Sequence, residues 1–172
     1  MEITPRSRWH RLLHPLNLAG LLTWLAVAAT LPYGSAEQLA LRWGSALLFL
    51  VAFLFAASYE RPSPRRNVAL LIEALAALAV IRLAASSGVA PALLVMLAAQ
   101  VAMSWPLRIT LVVMLLVNLG MYLVLRDVHS HPAAVVLIFA GFQAFAMLTT
   151  HYASSAEQAR DRLALVNADL LA

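Results

Sequence analysis

The sequence predicts an all-α fold of the polytopic membrane class, a six-transmembrane-helix bundle followed by a more polar cytoplasmic helix at the C-terminal end. Three observations carry this. Hydrophobic residues make up 63% of the chain and charged residues 12%, against about 45–50% and about 25% in an ordinary soluble domain. The mean hydropathy is +0.83. The apolar residues come in runs of about 16–20, the length at which a helix rising 1.5 Å per residue covers a hydrocarbon core about 30 Å thick. The arginines, in turn, gather in some of the connections between runs and avoid others, which is the mark of cytoplasmic loops.

Taken in order, Arg6, Arg8, Arg11 and the cations His10 and His14 precede an apolar run from Leu16 to about Pro32, so the first span starts inside. No small-residue cleavage site leading into a soluble domain follows it, as it would after a signal peptide. The turn Tyr33-Gly34-Ser35-Ala36-Glu37 has no basic residue and lies outside. Span two runs from about Leu39 to Ser58, with Arg42 and Trp43 at headgroup level. The segment Glu60-Arg61-Pro62-Ser63-Pro64-Arg65-Arg66 breaks the helix with two prolines and gives the strongest inside signal. Span three covers Asn67 to about Ala84, with Arg82 snorkelling at its outer end, and Ser86-Gly88-Pro91 makes an outer turn. Span four returns from about Val89 to Ser104, and the hairpin Trp105-Pro106-Leu107-Arg108 lies inside. Span five covers Ile109 to Leu125, the outer loop Arg126 to Pro132, and span six about Ala133 to Thr150.

All twelve basic residues are arginines. Arg6, Arg8, Arg11, Arg61, Arg65, Arg66, Arg108, Arg160 and Arg162 fall inside, and only Arg42, Arg82 and Arg126 fall at the outside. Both ends are therefore expected in the cytoplasm of a multi-pass protein. Three segments follow: a cytoplasmic lead at 1–15, a membrane domain at 16–150 and a cytoplasmic helix at 151–172. The spans keep the arginines apart, so nucleic acid is not an expected partner. Without cysteine there is no disulfide framework, thiolate metal site or cysteine nucleophile. Neither a GxxxG pair nor an inverted repeat is present.

Beyond Thr150 the sequence HYASSAEQARDRLALVNADLLA has no helix breaker, so span six is expected to run on as one helix. In heptad phase Ala156, Leu163 and Leu170 take a positions, and Tyr152, Ala159 and Val166 take d positions, while the charged residues fall off the seam. That repeat suits a parallel homodimeric coiled coil; an amphipathic helix lying on the membrane or folded back on the bundle is the alternative. The pattern is still apolar where it reaches Leu170 and Leu171, which predicts a longer signalling helix.

Short-looped spans leading directly into ARDRLALVNADLLA resemble the membrane sensor region of bacterial sensor histidine kinases, particularly the desaturase-regulating (DesK-like) group. The resemblance implies a bacterial inner-membrane location and a dimeric signalling helix. It also implies kinase modules that use ATP and Mg and a response regulator as their partner. None of His10, His14, His129, His131 and His151 is followed by an acid, as the family's phosphoacceptor histidine is, and there is no glycine-rich nucleotide loop. The chain itself is therefore expected to carry no catalytic residue and no cofactor, and to receive and transmit a signal. A small transporter or channel subunit is the alternative, which requires the polar residues of spans three to six to line one water-accessible path.

Polar residues within spans are expensive, about 2.5–3.5 kcal/mol for a mid-span charge on insertion scales. Glu73 and Gln100 fall at similar depths on spans three and four, and Asn118 and Gln143 near mid-membrane on spans five and six, which makes two candidate pairs. They serve either as interhelical fasteners or as a switch that changes partner or protonation. Asp127, His129 and His131 alternate in the last outer loop, either as a solvated loop or as metal ligands. Phe49, Phe53, Phe55, Phe139, Phe142 and Phe145 form either packing or a pocket for a hydrophobic ligand. His14 and Asn17, at the inner lip of span one, make it a candidate for sensing bilayer thickness, an expectation drawn partly from the resemblance.

Overall fold

The computed structural model describes residues 15–31, 33–59 and 63–170, with backbone alone at 15, 16, 161, 165 and 168–170. Arg6, Arg8, Arg11, Arg61, His10 and His14 lie outside the described residues. Six α-helices account for nearly all of the remainder: α1 Pro15–Ala29, α2 Ala36–Ala57, α3 Pro64–Leu83, α4 Ala92–Ser104, α5 Leu107–Leu125 and α6 Pro132–Leu170, with a single 3-10 turn at Ala85–Ser87. No strand occurs among the described residues.

Local chemistry sets the helix ends. Ser63 accepts the backbone N–H of Arg66 on its Oγ at 3.2 Å, and Pro64 fills the first helical position, where its missing N–H costs nothing. Ser35 caps α2 in the same way through Gln38 N, at 3.3 Å. Gly88, at φ +64°, is the only described residue with a positive φ and turns the chain between the 3-10 turn and α4. The sequence places the start of span four near Val89. The helix starts instead at Ala92, because a residue before proline is disfavoured in the α region and Pro91 is the N-cap.

α2, α5 and residues Pro132–Ala164 of α6 are long and apolar enough to cross a membrane, while α1 (from Asn17) and α4 are shorter apolar helices. α3 has the length at 20 residues but carries Arg65, Arg66, Glu73 and Arg82. The chain is apolar on its outside as well as inside: Leu22, Leu115 and Leu137 are each more than two-thirds exposed, whereas Glu73, Gln100, Thr110 and Gln143 are buried. In water that arrangement would leave an apolar surface far beyond what soluble monomers carry.

α4 is the axis of the packing. It touches all five other helices, most extensively α6, while α2 and α3 form the tightest hairpin. Nine of its residues, Leu93, Leu94 and Met96 through Ala102, are buried. α1 lies against α2 and α4, tied by Trp24 Nε1 donating to the Ala46 carbonyl at 2.7 Å. Gly20 brings α1 close, since a Cβ there would overlap the Phe53 ring and reach Met96 Cε at 3.1 Å, whereas one at Gly44 would meet nothing within 4 Å. Replacing Gly20 by Leu is therefore expected to cost about 1–3 kcal/mol of unfolding stability in detergent. Gly44→Leu, the control, is expected to change it by less than about 0.5 kcal/mol.

Candidate functional site

The polar residues singled out by sequence fall at different places in the bundle. Asn118 on α5 donates from Nδ2 to Gln143 Oε1 on α6 at 2.6 Å and to the carbonyl of Met114 in its own helix at 2.8 Å. The structure thus brings this candidate pair together. Gln143 Nε2 and Asn118 Oδ1 have no partner, so a single hydrogen bond carries the junction.

Glu73 and Gln100 are not joined by a hydrogen bond. Gln100 Nε2 donates to the carbonyl of Phe53 on α2 at 3.1 Å, and its Oε1 has no partner. Similar depth in two helices leaves the direction of each side chain open, and Gln100 turns to α2. Glu73 is 0% exposed, and neither carboxyl oxygen has a hydrogen-bond partner. The charged group acting on it is Arg66, two turns earlier on α3, itself buried with an unpartnered Nε. A buried carboxyl group without hydrogen bonds is a cost to the fold, which makes Glu73 the least settled side chain in the interior.

A cleft of about 400 Å³ opens between α1 and α6 over α4. Phe53, Phe139, Phe142 and Phe145 line it, and among the described residues its polar lining consists of Asn17, Thr23 and Gln100. The six phenylalanines separate accordingly: Phe49 is core and stacks on Phe53 at 6.3 Å between ring centroids, and Phe55 faces outward against Tyr59. The other four belong to the cleft.

In the loop before α6, Asp127 pairs with Arg126 at 3.3 Å rather than with either histidine. His129 lines a separate hollow of about 190 Å³ beside Pro91 and Leu125, and His131 is exposed. Among the described residues no three His, Cys, Asp or Glu side chains gather as a metal site.

Arg42 has a role that sequence reasoning missed. Besides its expected place at headgroup level, its Nε donates to the carbonyl of Leu83 at the end of α3 at 2.8 Å, and its Nη1 to Tyr33 O at 3.3 Å. A cation over the last carbonyls of a helix complements its dipole. Thr30 and Ser87 hydroxyls, 2.8 Å apart, join the same end of the bundle. An arginine one turn and a half inside an apolar helix was the available signal.

On the lower part of α6, Tyr152, Leu163 and Val166 are 70%, 64% and 54% exposed, and Ala156 and Ala159 are exposed as well. The side chain of Leu170 lies outside the described residues. Comparison with protein-family models, with curated proteins and with solved structures gives no match for this chain.

Two measurements follow from the interior. A double-mutant cycle with Asn118→Leu and Gln143→Leu is expected to return a coupling of about 0.6–1.7 kcal/mol, the range of interhelical hydrogen bonds in membranes. Glu73→Gln is expected to change the melting temperature in detergent little, since it keeps the side-chain volume and breaks no hydrogen bond. Glu73→Lys, which places a second cation near Arg66, is expected to prevent folding.

Proposed function

We propose that the chain crosses a bacterial inner membrane six times with both ends in the cytoplasm. In this reading it is the sensor and transmitter module of a two-component sensor histidine kinase. The observation that carries the reading is α6, a single unbroken helix of 39 residues. At 1.5 Å per residue it is about 58 Å long, roughly twice the hydrocarbon thickness. Its first half packs on α4 and α5, and its second half leaves the bundle with an exposed apolar stripe at Tyr152, Ala156, Ala159, Leu163 and Val166. A helix that begins inside a bundle and ends as an unpartnered seam suits a dimeric signalling helix that leads to a kinase and its response regulator.

The remaining helices are compatible with six crossings. α3 keeps Arg65, Arg66 and Arg82 at its ends and buries Glu73 against protein. α4 spans about 20 Å, short of the core thickness, but its neighbours shield it, and non-helical backbone at membrane depth is tolerated where protein covers it. A transporter or channel reading fits less well, because the cleft that Gln100 lines includes none of Glu73, Asn118 and Gln143.

The chain has no cysteine, so single cysteines report cleanly. In isolated membranes treated with an added oxidant such as copper phenanthroline, Leu163→Cys and Val166→Cys are expected to give disulfide-linked dimers, and Gln158→Cys and Ala164→Cys, off the seam, are expected to give few. Equal yields at all four positions, or none at any, would sink the dimeric helix. Glu73→Gln on the Leu163→Cys and Val166→Cys backgrounds then separates switch from fastener: a changed ratio of the two yields marks a switch, and an unchanged ratio marks Glu73 as structural.

A further inference from the structure

We infer that the cleft between α1 and α6 is a binding site for a neutral, single-chain amphiphile with a hydroxyl head, of which a medium-chain primary alcohol is the simplest case. Its volume of about 400 Å³ lies within the range of about 300–1,000 Å³ typical of small-molecule pockets. The shape is elongated. Asn17 to Thr23 on α1 is about 9 Å by helical rise, Ala92 to Gln100 on α4 about 12 Å, and Phe139 to Ala146 on α6 about 10 Å.

The polarity of the cleft runs along that axis. α1 and α4 are antiparallel in the up-and-down bundle, so Asn17 and Gln100 share one end, while Ala92 and Phe139 share the other. The first end carries the side chains of Asn17 and Gln100, and the second is hydrocarbon and phenyl ring. A chain with one polar head therefore enters in one orientation.

The nature of the head follows from what is missing along the walls. Among the described residues no charged side chain lines the cleft, and against those walls a carboxylate, phosphate or ammonium head would be buried without a counter-charge, at a cost of several kcal/mol. Gln100 is buried with Nε2 committed to the Phe53 carbonyl, and its Oε1 has no hydrogen-bond partner. An unpaired buried acceptor calls for a donor; Oε1 is closed off from solvent at rest, and a hydroxyl head reaches it by a turn of the amide. Thr23 already donates its own proton to the Ala19 carbonyl at 2.9 Å, so it is no donor to Gln100. Entry is lateral: Phe142 and Phe145 on the α6 rim are 56% and 72% exposed, which leaves the opening toward the hydrocarbon phase.

The site stands apart from the sensor reading, because binding is measured directly. The protein, reconstituted in phosphatidylcholine nanodiscs, is irradiated with a diazirine-bearing octanol, and the labelled residues are mapped by mass spectrometry. Label is expected on the 139–146 stretch of α6 and on facing residues of α1 and α4, and excess decan-1-ol is expected to suppress it at least tenfold. Decanoate at pH 9, the charged homologue, is expected not to suppress it.

Ala99→Trp, which fills the cleft floor, is expected to reduce the label at least tenfold. Ala146→Trp on the half-buried rim does the same without disturbing the core, and retained helicity by circular dichroism shows that the bundle is intact. Label spread evenly over outward residues such as Leu22, Leu115 and Leu137 would overturn the inference. So would label that decan-1-ol fails to displace, label that both folded variants retain, or equal competition by decanoate.

Discussion

The bundle depends on the burial of α4. Thirteen residues of helix reach about 20 Å, less than a hydrocarbon core of about 30 Å, and in such a core the irregular backbone at either end of a short helix is tolerated only against protein. Contact with all five other helices meets that condition. It also explains the composition of α4. Leu93, Leu94 and Leu97 occupy its first half and Ala98, Ala99 and Ala102 its second, so large side chains fill the gaps between neighbours toward one end while small ones admit their backbones toward the other. The hydrogen bonds at the two ends of the bundle serve the same requirement: Arg42 on the α3 terminus and Thr30 with Ser87 at one end, Gln100 on the Phe53 carbonyl near the other.

Polar interior groups divide by whether that packing satisfies them. Asn118 and Gln143 meet across α5 and α6 and act as a fastener of ordinary strength. Glu73 and Arg66 lie on one helix and are both buried, yet the carboxyl oxygens and the guanidinium Nε lack partners. Such unpartnered groups are a cost that the packing around them offsets.

The helical class and the order of elements were legible because both follow from composition, run length and the distribution of prolines and arginines. The continuity of α6 past Thr150 was legible for the same reason, since no breaker interrupts it. The Asn118 and Gln143 contact could be found by depth, because α5 and α6 are consecutive and lie side by side. Depth failed for Glu73 and Gln100: position along a helix fixes how far a side chain lies from the membrane edge, and the azimuth is set by tertiary packing. The cleft was legible only as a group of phenylalanines. Periodicity could not tell that Phe53, Phe139, Phe142 and Phe145 surround a space while Phe49 fills the core and Phe55 faces out.

The cleft and the emerging helix share a wall. Phe139, Phe142, Phe145 and Ala146 line the cavity, and Gln143, among them in sequence, makes the hydrogen bond to α5. On a helix of 3.6 residues per turn Gln143 lies about 40° beyond Phe139, at the border of the face that lines the cleft, so α6 is held to α5 along one edge of the face that it opens to an occupant. An occupant shifts the position of α6 only to the extent that it binds one packing of the helix better than another. On α1 the cleft wall is held to the bundle by Trp24, by the close approach at Gly20 and by the Thr30–Ser87 contact. Whatever displaces α6 at Phe142 displaces the same rigid helix at Leu163, about 31 Å further along its axis, with no loop between to absorb the movement.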